Sequence, residues 1–434
     1  MMLKTHSMKL SVTALLVAGA FGFGTAAAAD IINDTRTGQQ TFSSGTSEVR
    51  GSTISNSSGT VIFANGPAVV NITGGNTITG SSYGVFANSA ATVNISGENT
   101  ITATGNSSYA VYANSNSTLT ISGKNTISNT GGGYLVYGNG ESHISIDGNN
   151  TFTAAGSSSS GVYLNNSGTA NIAGTNTFDL GGTAFKQNGN GALTFKEDSQ
   201  TTVKNVSTAL HVKNTVIENG AKVVVESSRT GVRVENADST LTVKGDLSVT
   251  SSVSALTVNG NSNLSIDGGN VTLTAAEGGQ AITEYNESPD EVIAVTNAGS
   301  LSVKGDVSDY SGSYSLAGNS SASFTALTVN NKLTADNSTV SFDAIDNRGT
   351  IELTHSVVKA NGTAGTASNL GKVNASDTSF KLGEGTYEFA CRFTRFRARP
   401  SILLCTRPNF SHQRPILRSN SFSEWPSLAI SGEA

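Results

Sequence analysis

Short runs in which apolar and polar residues alternate recur along most of this chain. Val93-Asn94-Ile95 and Leu119-Thr120-Ile121 are two of them. Alternation with a period of two is typical of half-buried β-strands. The intervening stretches are rich in Gly, Asn, Ser and Thr, and Gly, Asn and Ser in particular favour turns. The pattern therefore predicts an all-β protein built from many short strands.

The alternating runs belong to a sequence repeat. A frame of Gly, any residue, Asn, Thr and then Ile or Phe starts at Gly74, Gly97, Gly123, Gly148 and Gly174, with gaps of 23, 26, 25 and 26 residues. Periods of about 20 to 50 residues indicate stacked structural units. The clearest repeats span residues 60–195, and weaker copies continue on both sides. One longer interval, which includes residues 284–291, predicts an insertion that bulges from the stack.

Each repeat predicts one turn of a parallel β-helix. In the best-defined copy, strands are expected at 92–95, 100–102 and 109–113, separated by three turns. A single turn cannot bury its apolar face, whereas stacked turns form a continuous core. Counting residues 38–385 at about 24 residues per turn predicts a solenoid of roughly 14 turns.

Stacking places equivalent asparagines in columns, where their side-chain amides can bond along the stack. We interpret these residues as structural. The column from the repeated frame contains Asn76, Asn99, Asn125, Asn150 and Asn176. A second column contains Asn65, Asn88, Asn114, Asn139, Asn165 and Asn188.

Aromatic residues form a further column. Its members are Phe63, Phe86, Tyr112, Tyr137 and Tyr163, and the next turn has Lys186 in the same place. Lysine is an improbable core residue, so we expect this column to face outward. The neighbouring aliphatic column, which begins at Ile62, would then face inward. An outward aromatic stripe could stack on sugars or dock a partner chain; the alternative is that the rings stack on one another and stiffen the rod.

The two ends of the chain differ from the repeats. Residues 1–29 have basic residues, a short apolar run and a small-residue cleavage site at Ala29, which predicts a secretory signal peptide. No later apolar stretch is long enough to span a membrane. Residues 390–434 hold seven arginines, no lysine, four of the six prolines and both cysteines. We expect this tail to be disordered and not β-helical, and its composition favours a non-native reading frame.

Residues 30–389, which follow the export signal and are rich in Asn, Gly and Thr, resemble the passenger domains of Gram-negative autotransporters, including pertactin and AIDA-type adhesins. The resemblance implies a right-handed parallel β-helix that is secreted or displayed at the outer membrane, where it mediates adhesion or biofilm formation. The implied partners are a protein or glycan on a host or neighbouring cell, or a second copy of the chain. Autotransporters end in a β-barrel translocator, a pattern that residues 390–434 lack. A truncated relative would stay in the periplasm, and a frameshifted one would have no function.

Net charge and the candidate catalytic residues bear on two other classes of function, nucleic-acid binding and polysaccharide cleavage. The formal net charge of −5 argues against nucleic acid as a partner. A β-helix can also carry polysaccharide-cleaving chemistry of the pectate-lyase kind, for which Arg229, Arg233, Glu235 and Asp238 form the richest charged group. Such mixed charges are more often a solvated face. We therefore expect a non-catalytic protein without cofactor or metal, and keep the polysaccharide-active enzyme as the alternative.

Overall fold

The computed structural model describes residues 29–360 except 227, 236, 237, 286, 287 and 289, together with 367–369, 371–382, 386–389, 391–393, 396–398 and 402–405. Residues 1–28 of the predicted signal peptide lie outside the described residues, and Ala29 is exposed at the start of the described part. The described residues form strands and turns. None of them belongs to a helix long and apolar enough to cross a bilayer.

The strands form three parallel sheets along a solenoid, and successive turns of the chain stack in register. The first sheet contains Ile31–Ile32, Thr46–Arg50, Val69–Thr73, Thr92–Ser96, Thr118–Ile121, His143–Ile146, Thr169–Ile172, Ala192–Phe195, Asn214–Ile217, Thr240–Val243, Asn263–Asp267, Val292–Thr296, Ser313–Ala317, Lys332–Asp336, Thr350–Thr354, Lys372–Ser376 and Cys391–Phe393.

The second sheet contains Thr35–Thr37, Thr53–Asn56, Thr77–Gly80, Thr100–Ala103, Thr126–Asn129, Asn149–Ala154, Thr175–Leu180, Gln200–Lys204, Lys222–Val225, Asp246–Ser251, Asn270–Ala275, Ser300–Lys304, Ser321–Val329, Thr339–Asn347, Val357–Ala360, Ala367–Asn369, Thr378–Leu382, Thr386–Phe389, Phe396–Ala398 and Ile402–Cys405. The third sheet contains Gln40–Phe42, Thr60–Asn65, Tyr83–Asn88, Tyr109–Asn114, Tyr134–Asn139, Ser160–Leu164, Thr183–Gln187, Val206–Val212, Ser228–Glu235, Ser254–Asn259 and Gln280–Glu284.

The predicted parallel solenoid with three strands per turn is confirmed. In the best-defined repeat, the three expected strands are Thr92–Ser96, Thr100–Ala103 and Tyr109–Asn114, one in each sheet. The alternation explains the core, because Val93 and Ile95 point inward and are fully buried while the residues between them face outward. Buried apolar columns of this kind provide the main stabilisation of a solenoid.

Turn lengths vary along the rod. Cα partners in the first sheet are 23 residues apart at Ile72 and Ile95, and 29 apart at Ile266 and Val295. Further along, Ala335 and Leu353 are only 18 residues apart. The longest step contains the predicted insertion. The predicted solenoid of roughly 14 turns is confirmed: within residues 38–385 the first sheet has 15 strands, which bound 14 turns.

The third sheet ends at Gln280–Glu284, and strands of the second sheet then cover that side of the rod as well. From Ser321 onward, single long strands bend across two sides of the rod. Thr339–Asn347 shows this, because its first half pairs with Val357–Ala360 and its second half with Ala367–Asn369. Because one strand covers two sides, each turn of the solenoid needs fewer residues.

Strand pairing does not stop at the boundary predicted at residue 389. Three strands that lie in the tail, Cys391–Phe393, Phe396–Ala398 and Ile402–Cys405, pair in parallel with strands of the preceding turn. Residues 406–434 lie outside the described residues.

Candidate binding surface

The outer face of the third sheet carries two columns of aromatic rings. One is the predicted column, whose members pair from turn to turn in register: Phe63, Phe86, Tyr112, Tyr137 and Tyr163. The other contains Tyr83, Tyr109 and Tyr134, which also pair in register. All eight side chains are half-buried. We call these eight rings the aromatic ribbon.

The second ring column was missed because strict alternation places residues three apart on opposite faces. In Tyr109–Asn114, however, Ala110 and Val111 are both buried, so the alternation shifts by one. Tyr109 and Tyr112 therefore return to the same outer face. The signal available in the sequence was a tyrosine three residues before the three central column members, Phe86, Tyr112 and Tyr137. The neighbouring aliphatic column faces inward as predicted, with Ile62, Val85 and Val111 fully buried.

The rings of the ribbon stack on one another. Tyr83 and Tyr109 have ring centroids 5.0 Å apart and planes 7° apart, and Phe86 and Tyr112 are 4.7 Å and 16° apart. Tyr137 is turned edge-on to Tyr112 at 77° and stacks on Tyr163 at 4.9 Å. Most ring faces are thus covered by neighbouring rings. Ring edges, and the tyrosine hydroxyls on them, are the groups left for a partner to reach.

Burial and mutual proximity raise the pKa of four ribbon tyrosines, which keeps their hydroxyls protonated. Partial burial is the largest cause that raises the pKa of the Tyr109, Tyr137 and Tyr163 hydroxyls, and neighbouring tyrosines raise it further. The pKa of Tyr112 is raised mainly by burial as well. A neutral phenol hydroxyl can donate a hydrogen bond, so the ribbon presents a series of donors.

The predicted aromatic column continues into basic residues. Lys186, His211 and Arg233 follow Tyr163 in consecutive turns of the same outer column. We call these three residues the basic column. The ammonium of Lys186 lies 5.3 Å from the centroid of the Tyr163 ring, within the range of a cation–π contact. The guanidinium of Arg233 lies 4.4 Å from the centroid of the Tyr285 ring.

Of the four charged residues considered for catalysis, only Arg233 and Glu235 contact each other. Glu235 binds Arg233, and its Oε2 lies 2.6 Å from Nε2 of His211, a partner that the sequence did not indicate. Burial lowers the pKa of His211, although Glu235 opposes the shift. Arg229 is exposed at the start of the same strand, and Asp238 is exposed in the following turn. In the described part of the chain, no three His, Cys, Asp or Glu side chains are grouped to hold a metal ion.

The frame asparagines form a buried ladder. The Nδ2 group of each donates to Oδ1 of the next, at 2.8 to 3.0 Å, from Asn76 to Asn176. Each Nδ2 group also donates to a carbonyl three residues earlier in its own turn. We call this column the inner ladder. Its bonds replace strand pairing at a corner where the chain turns.

The second asparagine column forms a ladder along the edge of the third sheet, half-buried except at Asn188, which is exposed. Here each Nδ2 group donates to the preceding turn, as Asn114 does to Oδ1 of Asn88 at 2.8 Å. The same contact is repeated up to Asn188, at 2.8 to 3.1 Å. This outer ladder lies beside the aromatic ribbon, since each outer asparagine follows a ribbon residue by two positions in all turns with a ribbon ring.

Comparison with known proteins adds no assignment: no protein-family model matches the chain, and the curated proteins and solved structures give no match either.

Proposed function

We propose that this protein is an exported, non-catalytic adhesive rod of the autotransporter-passenger kind, which binds a cell-surface partner through the aromatic ribbon. In this proposal it acts at the cell surface or after release, and a form without a translocator would stay in the periplasm. The possible partners are a glycan or protein on another cell, or a second copy of the chain.

The aromatic ribbon is the observation that supports this proposal. The rest of the outer surface is mainly Thr, Ser, Asn and charged side chains, whereas the ribbon gathers eight rings on one face. An aromatic surface with polar tips suits recognition, because it offers apolar area together with hydrogen-bond donors. The mutual stacking of the rings also supports a stiffening role, and an experiment must separate the two.

The test replaces Tyr112 and Tyr137 with serine and measures attachment of the purified protein to cultured cells, together with clumping of cells that display it. We expect attachment to fall at least about fivefold, which corresponds to the loss of two ring contacts of modest strength. The matched control is Thr100→Ser with Thr102→Ser, on the outer face of the second sheet. Unchanged attachment with lower thermal stability would show that the ribbon only stiffens the rod.

The enzymatic alternative has its own test. The purified protein is spotted on gels that contain plant or bacterial polysaccharides, and clearing is scored after incubation. We expect no clearing. A cleared zone that disappears in the Glu235→Gln variant would contradict the non-catalytic proposal and favour a polysaccharide-cleaving enzyme.

A further inference from the structure

We infer that the third-sheet outer face binds an acidic polysaccharide along the rod axis, with sugars beside the aromatic ribbon and a carboxylate at Lys186. The inference rests on the proposed adhesive function and names its ligand class. The ligand is a chain in which uronic acid units alternate with neutral sugars.

The stacking of the ribbon rings leaves their edges and hydroxyls, and not their faces, for contact with a partner. Because Tyr83, Tyr109 and Phe86 are covered on their faces by neighbouring rings, they cannot stack face-on against a sugar. An aromatic edge carries partial positive charge, and a phenol hydroxyl donates hydrogen bonds. Both attract the oxygen atoms of a sugar chain. A polymer with many hydroxyl and carboxylate oxygens fits this surface better than an apolar peptide.

The charge of this face points to an anionic partner. Residues 1–390 contain 19 lysines and arginines against 29 aspartates and glutamates, so the rod is acidic overall. The third-sheet strands from Tyr83–Asn88 to Val206–Val212 contain no acidic residue. Their ionisable groups are Lys186 and His211, which stand in the outer column. Burial lowers the pKa of His211, so Lys186 provides the positive charge of these strands, on a rod that is acidic overall.

Lys186 is the cation best placed to take a carboxylate. It is half-buried beside Tyr163, and no carboxylate among the described residues lies within 4.0 Å of its ammonium. Arg233 differs, because Glu235 already neutralises it. Lys204, one turn away on the second sheet, is also paired, at 3.8 Å from Asp179. Among the described residues, Lys186 therefore has no carboxylate partner, whereas Arg233 and Lys204 each have one.

The repeat along the rod suits a polymer. Neighbouring ring centroids in the predicted aromatic column are 4.7 to 5.2 Å apart, so each turn offers one contact at a spacing close to the length of one sugar unit. Nucleic acid is a less favoured occupant, since a duplex carries one charge per about 1.7 Å and an acidic rod repels it strongly. Alternating neutral sugars lower that repulsion.

The experiment measures binding of the full chain to immobilised hyaluronan, whose carboxylates lie on every second sugar, and to the same polymer after its carboxylates are reduced to alcohols. The variants are Lys186→Gln and, as the matched control, Lys204→Gln. We expect the reduced polymer to bind at least about tenfold more weakly, Lys186→Gln to weaken binding to hyaluronan about threefold or more, and Lys204→Gln to leave it unchanged.

Several outcomes would overturn the inference. Equal binding to both polymers would show that the carboxylate charge does not contribute to binding. Equal losses in the two lysine variants would show that binding is not specific to the third-sheet face. Single-stranded DNA that displaces hyaluronan at lower concentration would identify nucleic acid as the ligand instead. Attachment to cells in the preceding assay without any binding to hyaluronan would leave the adhesive function intact and reject this ligand class. Absence of both would reject the two proposals together.

Discussion

The side-chain amides of the inner ladder bond to the turns on either side of them. Asn125 accepts from Nδ2 of Asn99 at 2.9 Å and donates to Oδ1 of Asn150 at 2.9 Å, and it is 1% exposed. We predict that Asn125→Leu lowers the free energy of unfolding by about 3 kcal/mol or more, because several buried polar groups lose their partners. Denaturant unfolding followed by circular dichroism measures this loss.

The control for that variant is Asn114→Leu in the outer ladder. Its side chain is half-buried, so water can replace the lost bonds, and we expect a loss of only about 1 kcal/mol. Similar losses in both variants would mean that burial does not distinguish the two ladders.

The first glycine of the repeated frame has a role that no other residue can take. Gly123 has φ of 88°, and a Cβ added to it would lie 2.6 Å from the backbone nitrogen of Gly97 in the preceding turn. We predict that Gly123→Ala costs more than the about 1 to 2 kcal/mol of a left-handed alanine, because the stack must also separate. The melting temperature and the denaturant midpoint both report it.

Gly75 supplies a matched comparison for the glycine prediction. It has φ of 72°, but a Cβ there would meet no atom within 4 Å. Gly75→Ala should therefore show the backbone strain alone. If Gly123→Ala and Gly75→Ala are equally destabilised, close contact between turns is not what requires glycine in the frame.

At the scale of strands and columns, the sequence predicted what depends on periodicity. The three strands per turn, the asparagine ladders and the inward aliphatic column all follow from residues that recur at one spacing. The second ring column was missed because two adjacent buried residues, such as Ala110 and Val111, break the period of two. The pairing of Glu235 with His211 joins neighbouring turns of unequal sequence, which no repeat signal can align.

The predicted insertion conceals a buried acid that its polar sequence did not indicate. Glu291 is 0% exposed, and its carboxyl group lies beside that of Glu284. Burial is the main cause that raises the pKa of Glu291 to about 8, and the nearby carboxyl of Glu284 raises it further. Tyr310 and Tyr314, both buried, close the same region of the rod.

This acid gives a prediction for pH dependence. Above a pH of about 4.5 the unfolded chain releases the Glu291 proton, while the folded chain keeps it up to about pH 8. Stability should thus be greatest in mild acid and fall as the pH rises from about 5 to 8. Glu291→Gln should flatten this slope, as measured by the denaturant midpoint at each pH. The exposed control Glu98→Gln should keep it, and an unchanged slope in Glu291→Gln would contradict the assignment.

The whole molecule is a rod in which each turn contacts the turns above and below it. Stability in such proteins is close to a sum of local terms and nearest-neighbour interfaces. The ladders, the ribbon and the buried phenylalanines all strengthen interfaces within residues 61–212. Beyond residue 300 the turns are shorter, and the core there encloses a small apolar gap beside Phe342 and Val358. We therefore expect stability to vary along the rod.

Hydrogen exchange read by mass spectrometry tests how far a perturbation spreads. The buried ring of Phe178 stacks on Phe152 at 4.4 Å and contacts Phe185 at 4.6 Å, so Phe178→Ala should cost about 3 to 5 kcal/mol locally. We predict faster exchange in residues 149–204 and unchanged exchange in residues 321–360. Phe342→Ala, at the far end of the rod, should give the reverse distribution. If either variant instead accelerates exchange evenly along the chain, the rod unfolds as one cooperative unit and nearest-neighbour coupling does not describe it.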